Sequence, residues 1–182
     1  ERVYYYPGGT VVPLLNALIE VGIEYICTRN EQGAGYAAVG AAKISGKTQV
    51  VIVTSGPGAT NVLTPVADAY FDSIPLMIFT GQVATKDINH KREVRQTGFQ
   101  ETDTVNIFKP VTKDARLFSH DTDIAEELAN MFMDTQRGRK GPVLIDLPMD
   151  VQLEESIFMN NDVRYNPLKS GENISFEGQS SK

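Results

Sequence analysis

Glu31 is the residue of this sequence whose position most strongly suggests chemistry. It follows a short apolar run, Tyr25–Cys27, and opens a segment made largely of glycine and alanine. In a helix, Gly33, Gly35 and Gly40 would together cost roughly 3 kcal/mol relative to alanine, so we expect close packing to offset them. The carboxylate has two interpretations. It hydrogen-bonds a ligand in a crevice between small residues, or it stabilises the helix dipole by about 0.3–1 kcal/mol. The spacing alone leaves both open.

The turn at residues 54–61, TSGPGATN, joins an apolar run to a helical segment through two glycines and a proline. Helix N-termini bind anions, so a phosphate-binding loop is one interpretation. The P-loop pattern requires Lys and then Ser or Thr after its second glycine, where this chain has Ala59 and Thr60. The dinucleotide pattern GxGxxG fails at Asn61. A tight turn that needs glycine dihedrals is therefore the favoured interpretation.

The remaining reactive side chains give little support for other kinds of site. His90 and His120 have no Cys or His neighbour at metal-ligand spacing, so we predict surface histidines and no metal site in this chain. Ser55 has neither a GxSxG context nor an evident base, which argues against a nucleophilic serine. The single cysteine, Cys27, lies in an apolar run and is predicted to be buried and structural.

The composition is that of a globular α/β protein. The 182 residues are 41% hydrophobic and 22% charged, with a net charge of -6. The negative charge and the lack of a long basic run exclude nucleic acid as an expected partner. No apolar stretch approaches the roughly 20 residues that cross a bilayer, so we expect no membrane partner. One cysteine allows no internal disulfide, which favours an intracellular, cytoplasmic setting.

Six apolar segments predict strands, and helical patterns lie between them. The predicted strands are Val3–Tyr6, Glu24–Thr28, Gln49–Thr54, Leu76–Thr80, Val111–Lys113 and Val143–Asp146. Besides the Gly/Ala segment, the predicted helices are Val11–Val21, Thr60–Asp72 and Asp121–Gln136. This alternation predicts a doubly wound α/β fold with a mainly parallel six-stranded sheet and helices on both faces.

The chain is predicted to hold one domain, residues 1–152, followed by a linker or disordered tail, residues 153–182. The tail is polar and has no apolar periodicity. Because Glu1 has no initiator Met before it, we expect the chain to be one domain of a longer protein. Within the domain, the polar segment 84–100 predicts a functional or mobile loop.

Three turns are expected to meet, because ligands of parallel sheets bind at the carboxyl ends of the strands. These turns carry YPGG, RNEQGAGYAA and TSGPGATN, and ADAYFDSIPLMIFTGQV, GFQE and GPVLIDLPMDV follow along the chain. In this order the motifs resemble the N-terminal pyrimidine-binding domain of acetolactate synthase and related thiamine diphosphate enzymes. The similarity runs from about Arg2 to Gln152.

The resemblance implies a site. Glu31 would hydrogen-bond the pyrimidine ring nitrogen of thiamine diphosphate and so promote proton loss from the thiazolium carbon, which attacks a 2-keto acid. Catalytic roles are implied for Glu31 and Gln100. Cofactor-binding positions are implied for Tyr6, Pro7, Gly8, Glu31, Pro57 and Asn61, and substrate-side positions for Phe99, Gln100 and Lys113.

The resemblance also implies an activity, further cofactors and partners. The expected reaction is decarboxylation of a 2-keto acid and transfer of the resulting aldehyde unit to an acceptor. Mg²⁺ would be bound by a domain absent from this sequence, and FAD is a candidate cofactor of the full-length protein. The implied assembly is a homodimer or tetramer formed through the N-terminal domain. The C-terminal diphosphate-binding domain of a second subunit would complete the site, so this chain alone is expected to be inactive.

The substrate stays open at this stage. Asn30 stands where acetolactate synthases usually have His, and Ala84 stands where Pro is common. The chain is alternatively a separate subunit of a two-chain 2-keto acid decarboxylase of the sulfopyruvate type, or a non-catalytic module that retained the fold. Neither the 2-keto acid nor the acceptor follows from the sequence.

Overall fold

Six strands form one sheet at the centre of the fold, and all of them run parallel. The computed structural model describes residues 2–89 and 94–154. In chain order the strands are Arg2–Tyr5 (β1), Glu24–Cys27 (β2), Gln49–Val53 (β3), Leu76–Gln82 (β4), Asp114–Leu117 (β5) and Val143–Pro148 (β6). Their order across the sheet is β2-β1-β3-β4-β6-β5, so the four-residue strands β2 and β5 form its edges. The predicted doubly wound α/β fold is confirmed.

Helices cover both faces of the sheet. They are Val12–Glu20 (α1), Glu31–Ser45 (α2), Pro57–Asn61 (α3), Leu63–Phe71 (α4), Thr104–Phe108 (α5), Ile124–Gln136 (α6) and Met149–Gln152 (α7). Short 3-10 turns lie at Gly9–Val11, Thr85–Asp87 and Lys109–Val111. Side chains of α2, α4 and α5 share one core cluster, and those of α1, α6 and α7 pack on the opposite face.

The central strand β3 shows why a continuous apolar run becomes a strand here. Val51 and Val53 point towards α2 and α4, whereas Ile52 points towards α1, and all three are at most 1% exposed. A parallel strand covered by helices on both faces has no solvent side, so its sequence needs no polar alternation.

Helix α2 packs closely at one glycine and leaves another open. A Cβ at Gly35 would stand 2.3 Å from Cγ of Pro65 in α4, so that position admits only glycine without rearrangement. A Cβ at Gly40 would meet nothing within 4 Å. Close packing within this chain therefore accounts for Gly35, whereas Gly40 lies on the outer face of α2.

Two local predictions are wrong. Val111 belongs to a 3-10 turn rather than to a strand, and the fifth strand begins only at Asp114. Pro110 explains the shift, because it lacks an N–H for a strand ladder and its fixed φ suits a helical turn. Cys27 is exposed rather than buried, because β2 is an edge strand.

The short helix α7 ties the end of the described chain back to its beginning. The Gln152 amide donates to the carbonyls of Thr10 (2.7 Å) and Leu147 (2.8 Å), and its oxygen accepts from Leu14 N at 3.4 Å. Helix α7 ends at Gln152, and the domain boundary at residue 152 stays a prediction. From residue 155 onward, the predicted tail lies outside the described residues.

Candidate functional site

The turns that follow β1 and β3 meet at the carboxyl edge of the sheet. Tyr6 N donates to the carbonyl of Ile52 at 3.2 Å. A Cβ at Gly8 would stand only 2.3 Å from Cβ of Thr54, so glycine lets the two turns touch. Strands β1 and β3 are neighbours from which the chain proceeds in opposite directions across the sheet. In open α/β sheets such a switch point is where ligands bind.

The start of α2 is capped by Asn30, the residue before Glu31. The Asn30 side-chain oxygen accepts from Gly33 N at 2.7 Å, and its backbone is extended, as an N-cap requires. Asn30 therefore satisfies one of the free N–H groups of the first helical turn. The carboxylate of Glu31 is not the cap, although its charge still lies at the favourable end of the helix dipole.

The Glu31 carboxylate lies instead between α2 and the turn after β3. Glu31 is 9% exposed, and its Oε2 accepts a hydrogen bond from Asn61 Nδ2 at 2.5 Å. Its Oε1 lies 3.2 Å from the point where a Cβ of Gly58 would stand. No described residue donates a hydrogen bond to Oε1. One oxygen is thus fixed by the protein, and the other is available to a donor on a ligand.

Gly58 and Gly56 make this arrangement geometrically feasible. A Cβ at Gly58 would stand 2.5 Å from Cγ2 of Thr54, so a side chain there would fill the space beside Glu31. Gly56 has φ +60 and ψ −123, a backbone that L residues rarely adopt. The segment is therefore the tight turn favoured from the sequence, and it exposes Pro57 at the first position of α3.

Gln100 packs against the same turn at Gly56, whereas Glu31 lies beside Gly58. Its Cβ and carbonyl oxygen both stand 2.7 Å from the point where a Cβ of Gly56 would lie. Gln100 itself has φ +58, which is unusual for a residue with a side chain. The preceding Phe99 is 80% exposed. Gln100 thus packs against the turn after β3, and Phe99, which precedes it, is exposed.

Two buried carboxylates, Glu101 and Asp146, were not among the predicted site residues. Glu101 is 8% exposed and accepts from Asn89 N and Thr97 N, each at 2.7 Å. Asp146 of β6 is 2% exposed and accepts from two side chains of β4. Burial raises the pKa of Asp146 to about 7. An aspartate inside the apolar run VLIDLP was the available signal for the second carboxylate.

Lys113 lies apart from the other predicted site residues. It immediately precedes β5 and its backbone N donates to the carbonyl of Pro142, which places it at the amino-terminal edge of the sheet. Its ammonium group donates to the carbonyl of Arg137 at 2.6 Å and to that of Asp134. Within this chain, the structure therefore does not bring Lys113 to the Phe99–Gln100 segment.

Surface histidines and no metal site in this chain were also predicted from the sequence. His120 is exposed, as predicted, and hydrogen bonds with Glu154 and Asp150, the former foremost, raise the pKa of its imidazole. His90 lies outside the described residues. Among residues 2–89 and 94–154, no three His, Cys, Asp or Glu side chains lie together as a metal ion would need. No helix in that part of the chain is long and apolar enough to cross a membrane.

Comparison with known proteins identifies similar sequences. Residues 1–107 match the family described as thiamine pyrophosphate enzyme, N-terminal TPP binding domain. The chain is 46% identical, over 88% of its length, to the acetolactate synthase large subunit of Lactococcus lactis subsp. lactis, of which it covers 27%. It is 41% identical, over 94% of its length, to the acetolactate synthase isozyme 3 large subunit of Escherichia coli, of which it covers 30%. The catalytic subunit of mitochondrial acetolactate synthase from Saccharomyces cerevisiae is 43% identical over 83% of this chain and is covered to 21%. The chain thus spans less than a third of the length of these relatives.

Proposed function

Because the chain belongs to the thiamine pyrophosphate enzyme family through its N-terminal TPP binding domain, we propose that it supplies the pyrimidine-binding half of an acetolactate-synthase-like active site. The complete enzyme would decarboxylate a 2-keto acid and transfer the aldehyde unit to an acceptor. The large-subunit relatives support this activity, since their similarity extends over most of the chain.

The observation that carries the proposal is the state of the Glu31 carboxylate. One oxygen is held by Asn61, and the other accepts no hydrogen bond from the described residues, although the side chain is only 9% exposed. No buried side-chain oxygen of the described residues lacks a hydrogen-bond partner, so this second oxygen of Glu31 is open to solvent and can accept from a ligand that enters beside it. Gly58 places no side chain between this oxygen and Thr54. We therefore assign this accessible carboxylate oxygen to the pyrimidine ring of thiamine diphosphate.

Thiamine diphosphate supplies, when bound, the acidic thiazolium carbon and the electron sink that decarboxylation of a 2-keto acid requires. Glu31 would hold a proton shared with the ring nitrogen, and Asn61 would keep the carboxylate turned towards it. Tyr6, Pro7 and Gly8 would form the adjoining wall, and Pro57 would lie at its rim. Gln100 and Phe99 would face the 2-keto acid.

We propose that Mg²⁺ and the diphosphate group are held outside this chain. The large-subunit relatives are more than three times as long as the matched region, which leaves room for a diphosphate-binding domain and for an FAD domain. The 182-residue chain alone should then bind thiamine diphosphate weakly and release no carbon dioxide. Tight, magnesium-dependent binding in calorimetry of this chain would contradict the division of the site.

We propose further that two copies associate through the outer face of α2. This face carries Tyr36, which is 45% exposed, Gly40, which has open space above it, and Ile44, which is 92% exposed. Apolar residues this exposed are typical of interaction surfaces when they lie together. Sedimentation at tens of micromolar should show at least a dimer, which Ile44→Asp weakens. Ile19→Asp, at a 58% exposed position on α1, is the matched control. A strict monomer in the unmodified chain would argue against this surface.

The test of the function uses the complete protein with thiamine diphosphate, Mg²⁺ and a panel of 2-keto acids that includes pyruvate. We expect carbon dioxide release with at least one member, and loss of that release in Glu31→Gln. A folded protein that binds the cofactor yet decarboxylates no member of the panel would instead indicate a non-catalytic module.

The single cysteine supports an intracellular, cytoplasmic setting, which cell fractionation would test.

A further inference from the structure

The buried carboxylate of Asp146 belongs to a polar cluster beneath the Gln100 segment. Asp146 lies opposite Thr80 in the sheet, and both side chains point to the face covered by α5. Thr80 Oγ1 donates to Asp146 Oδ1 at 2.7 Å, and Gln82 Nε2 donates to Asp146 Oδ2 at 2.8 Å. A carboxylate inside an otherwise apolar strand destabilises the fold unless its hydrogen bonds are made. Its presence in this strand is explained by what its hydrogen bonds hold in place.

Asp146 determines which way the Gln82 amide points. Gln82 Nε2 donates to the carbonyl of Thr102 at 2.8 Å as well as to Asp146, and Gln82 Oε1 accepts from Val83 N at 3.0 Å. If the amide were reversed, its oxygen would face two acceptors and its N–H groups would face a donor. The amide is therefore fixed in one orientation, with one N–H aimed at the Thr102 carbonyl.

Thr102 connects this cluster to Gln100. The two residues are separated only by Glu101, and Thr102 Oγ1 lies 3.5 Å from the Gln100 carbonyl. The left-handed backbone of Gln100 persists only where the surrounding structure holds it in place. On one side the Gln100 backbone contacts Gly56. On the other side, the Thr102 carbonyl that follows it in the chain accepts a hydrogen bond from Gln82.

We propose that Asp146 and Gln82 are positioning residues that hold the Phe99–Gln100 turn in place for the substrate. The proposal rests on the proposed function, in which Gln100 faces the 2-keto acid. The two residues do not touch the site themselves. They act through the Thr102 carbonyl, and Glu31 and Asn61, on the far side of Gly56, are held independently of them.

Hydrogen bonding, rather than charge, is what positioning requires of Asp146. The Thr80 hydroxyl also lies 3.5 Å from the carbonyl of Ile145. It can therefore donate to that carbonyl and accept a hydrogen bond from the side chain at position 146. Burial together with the nearby carboxylate of Asp103 raises the Asp146 pKa to about 7, so both protonation states are accessible near neutrality. An asparagine would accept from Gln82 with its oxygen and donate to Thr80 with its amide. Asp146→Asn should therefore preserve the turn.

The experiment compares three variants of the complete protein. Gln82→Met keeps the side-chain length but removes all three hydrogen bonds, and Asp146→Asn keeps the hydrogen bonds. Thr135→Val is the matched control. It removes a fully buried hydroxyl that bonds to Thr48 Oγ1 (2.6 Å) and to the Phe132 carbonyl (2.7 Å), at the opposite edge of the sheet.

The first readout needs no substrate. The backbone amides of Glu101 and Thr104 donate within the turn, to Gly98 and Thr102 respectively. In Gln82→Met their hydrogen exchange should accelerate about tenfold relative to Thr135→Val, as the loss of one buried hydrogen bond implies. In Asp146→Asn it should stay within about twofold of the unmodified protein. Equal exchange in Gln82→Met and Thr135→Val would overturn the proposal.

The second readout separates the substrate side from the cofactor side. With pyruvate as the probe, the KM of Gln82→Met should rise about tenfold. Proton exchange at the thiazolium carbon should change less than about twofold, because the Glu31–Asn61 pair is held separately. A faster-exchanging turn with an unchanged KM would overturn the proposal. A tenfold rise of KM in Asp146→Asn would also overturn the proposal. If Gln82→Met does not fold, the KM of Asp146→Asn is the measurement that tests it. If the unmodified protein decarboxylates nothing, the proposed function fails and amide exchange alone decides whether Gln82 and Asp146 hold the turn.

Discussion

Replacing Glu31 with glutamine tests whether this carboxylate acts on the cofactor. Glutamine has the same size, and its oxygen can still accept from Asn61 Nδ2, which lies 2.5 Å from Glu31 Oε2. The second group would then be an amide N–H₂ beside Gly58, where Glu31 now presents an oxygen. The variant therefore keeps the packing. At the position of Oε1, however, a carboxylate oxygen that can share a proton is replaced by an amide group that only donates.

The expected loss of folding stability and the expected loss of reaction rate differ greatly in this variant. A charge-assisted hydrogen bond contributes about 1.5–3 kcal/mol and a neutral one about 0.5–1.5 kcal/mol, so stability should fall by only about 1 kcal/mol. General acid–base assistance contributes about 10² to 10⁴ in rate, which corresponds to roughly 3–5 kcal/mol in the barrier. If Glu31 only complemented the helix dipole, at most about 1 kcal/mol of stability would be lost and the chemistry would be unchanged.

The assay follows proton–deuterium exchange at the thiazolium carbon of thiamine diphosphate in the complete protein, alongside a thermal melt. Glu24→Gln is a matched control, because it makes the same chemical change in an exposed ion pair with Arg2 at the amino-terminal edge of the sheet. We expect slow exchange in Glu31→Gln and unchanged exchange in Glu24→Gln. Exchange at the unmodified rate in a folded Glu31→Gln protein would refute the assignment of Glu31 to the cofactor.

Three further predictions concern stability. The pKa of Asp146 is raised from 3.8 to about 7, so the contribution of this group to stability falls by roughly 4 kcal/mol as pH rises from about 4 to 7. Asp146→Asn should abolish that loss, and urea unfolding of both proteins across this range should show it; parallel pH profiles would contradict the burial argument. Glu101→Gln should cost about 1–3 kcal/mol and speed proteolysis of the adjacent loop, because one oxygen then serves two backbone N–H donors. Unchanged unfolding and cleavage would argue against that role. Gly35→Ala should destabilise by about 1–3 kcal/mol against Pro65, whereas Gly40→Ala should stabilise by up to about 1 kcal/mol; thermal melts that fail to separate the pair would contradict the packing of α2.

The strands and the meeting of the turns were predictable because parallel sheets impose them. The continuous apolar run of β3 indicated a strand covered on both faces, and parallel strands gather their carboxyl ends at one edge. That geometry brings Glu31 to the turn after β3, where it meets Asn61 thirty residues further along the chain. The strand near Lys113 was misplaced, because Pro110 starts a helical turn inside an apolar segment.

The support beneath Gln100 could not be predicted from spacing. Asp146 meets Thr80 and Gln82 across 66 and 64 residues of sequence, so no local pattern links them. An aspartate within an apolar strand signals a buried polar partner, but it does not say which residue that partner is. The left-handed backbone of Gln100 was equally hidden, because glutamine has no preference for that conformation.

The edges of the sheet bear on how the protein avoids aggregation. A long, flat and apolar edge strand offers unpaired backbone groups to any other exposed strand. Here β2 and β5 are each four residues long. They carry Glu24, which pairs with Arg2 at 2.6 Å, and Arg116, which pairs with Asp114 at 2.6 Å. Charged edges this short give little template for cross-β growth.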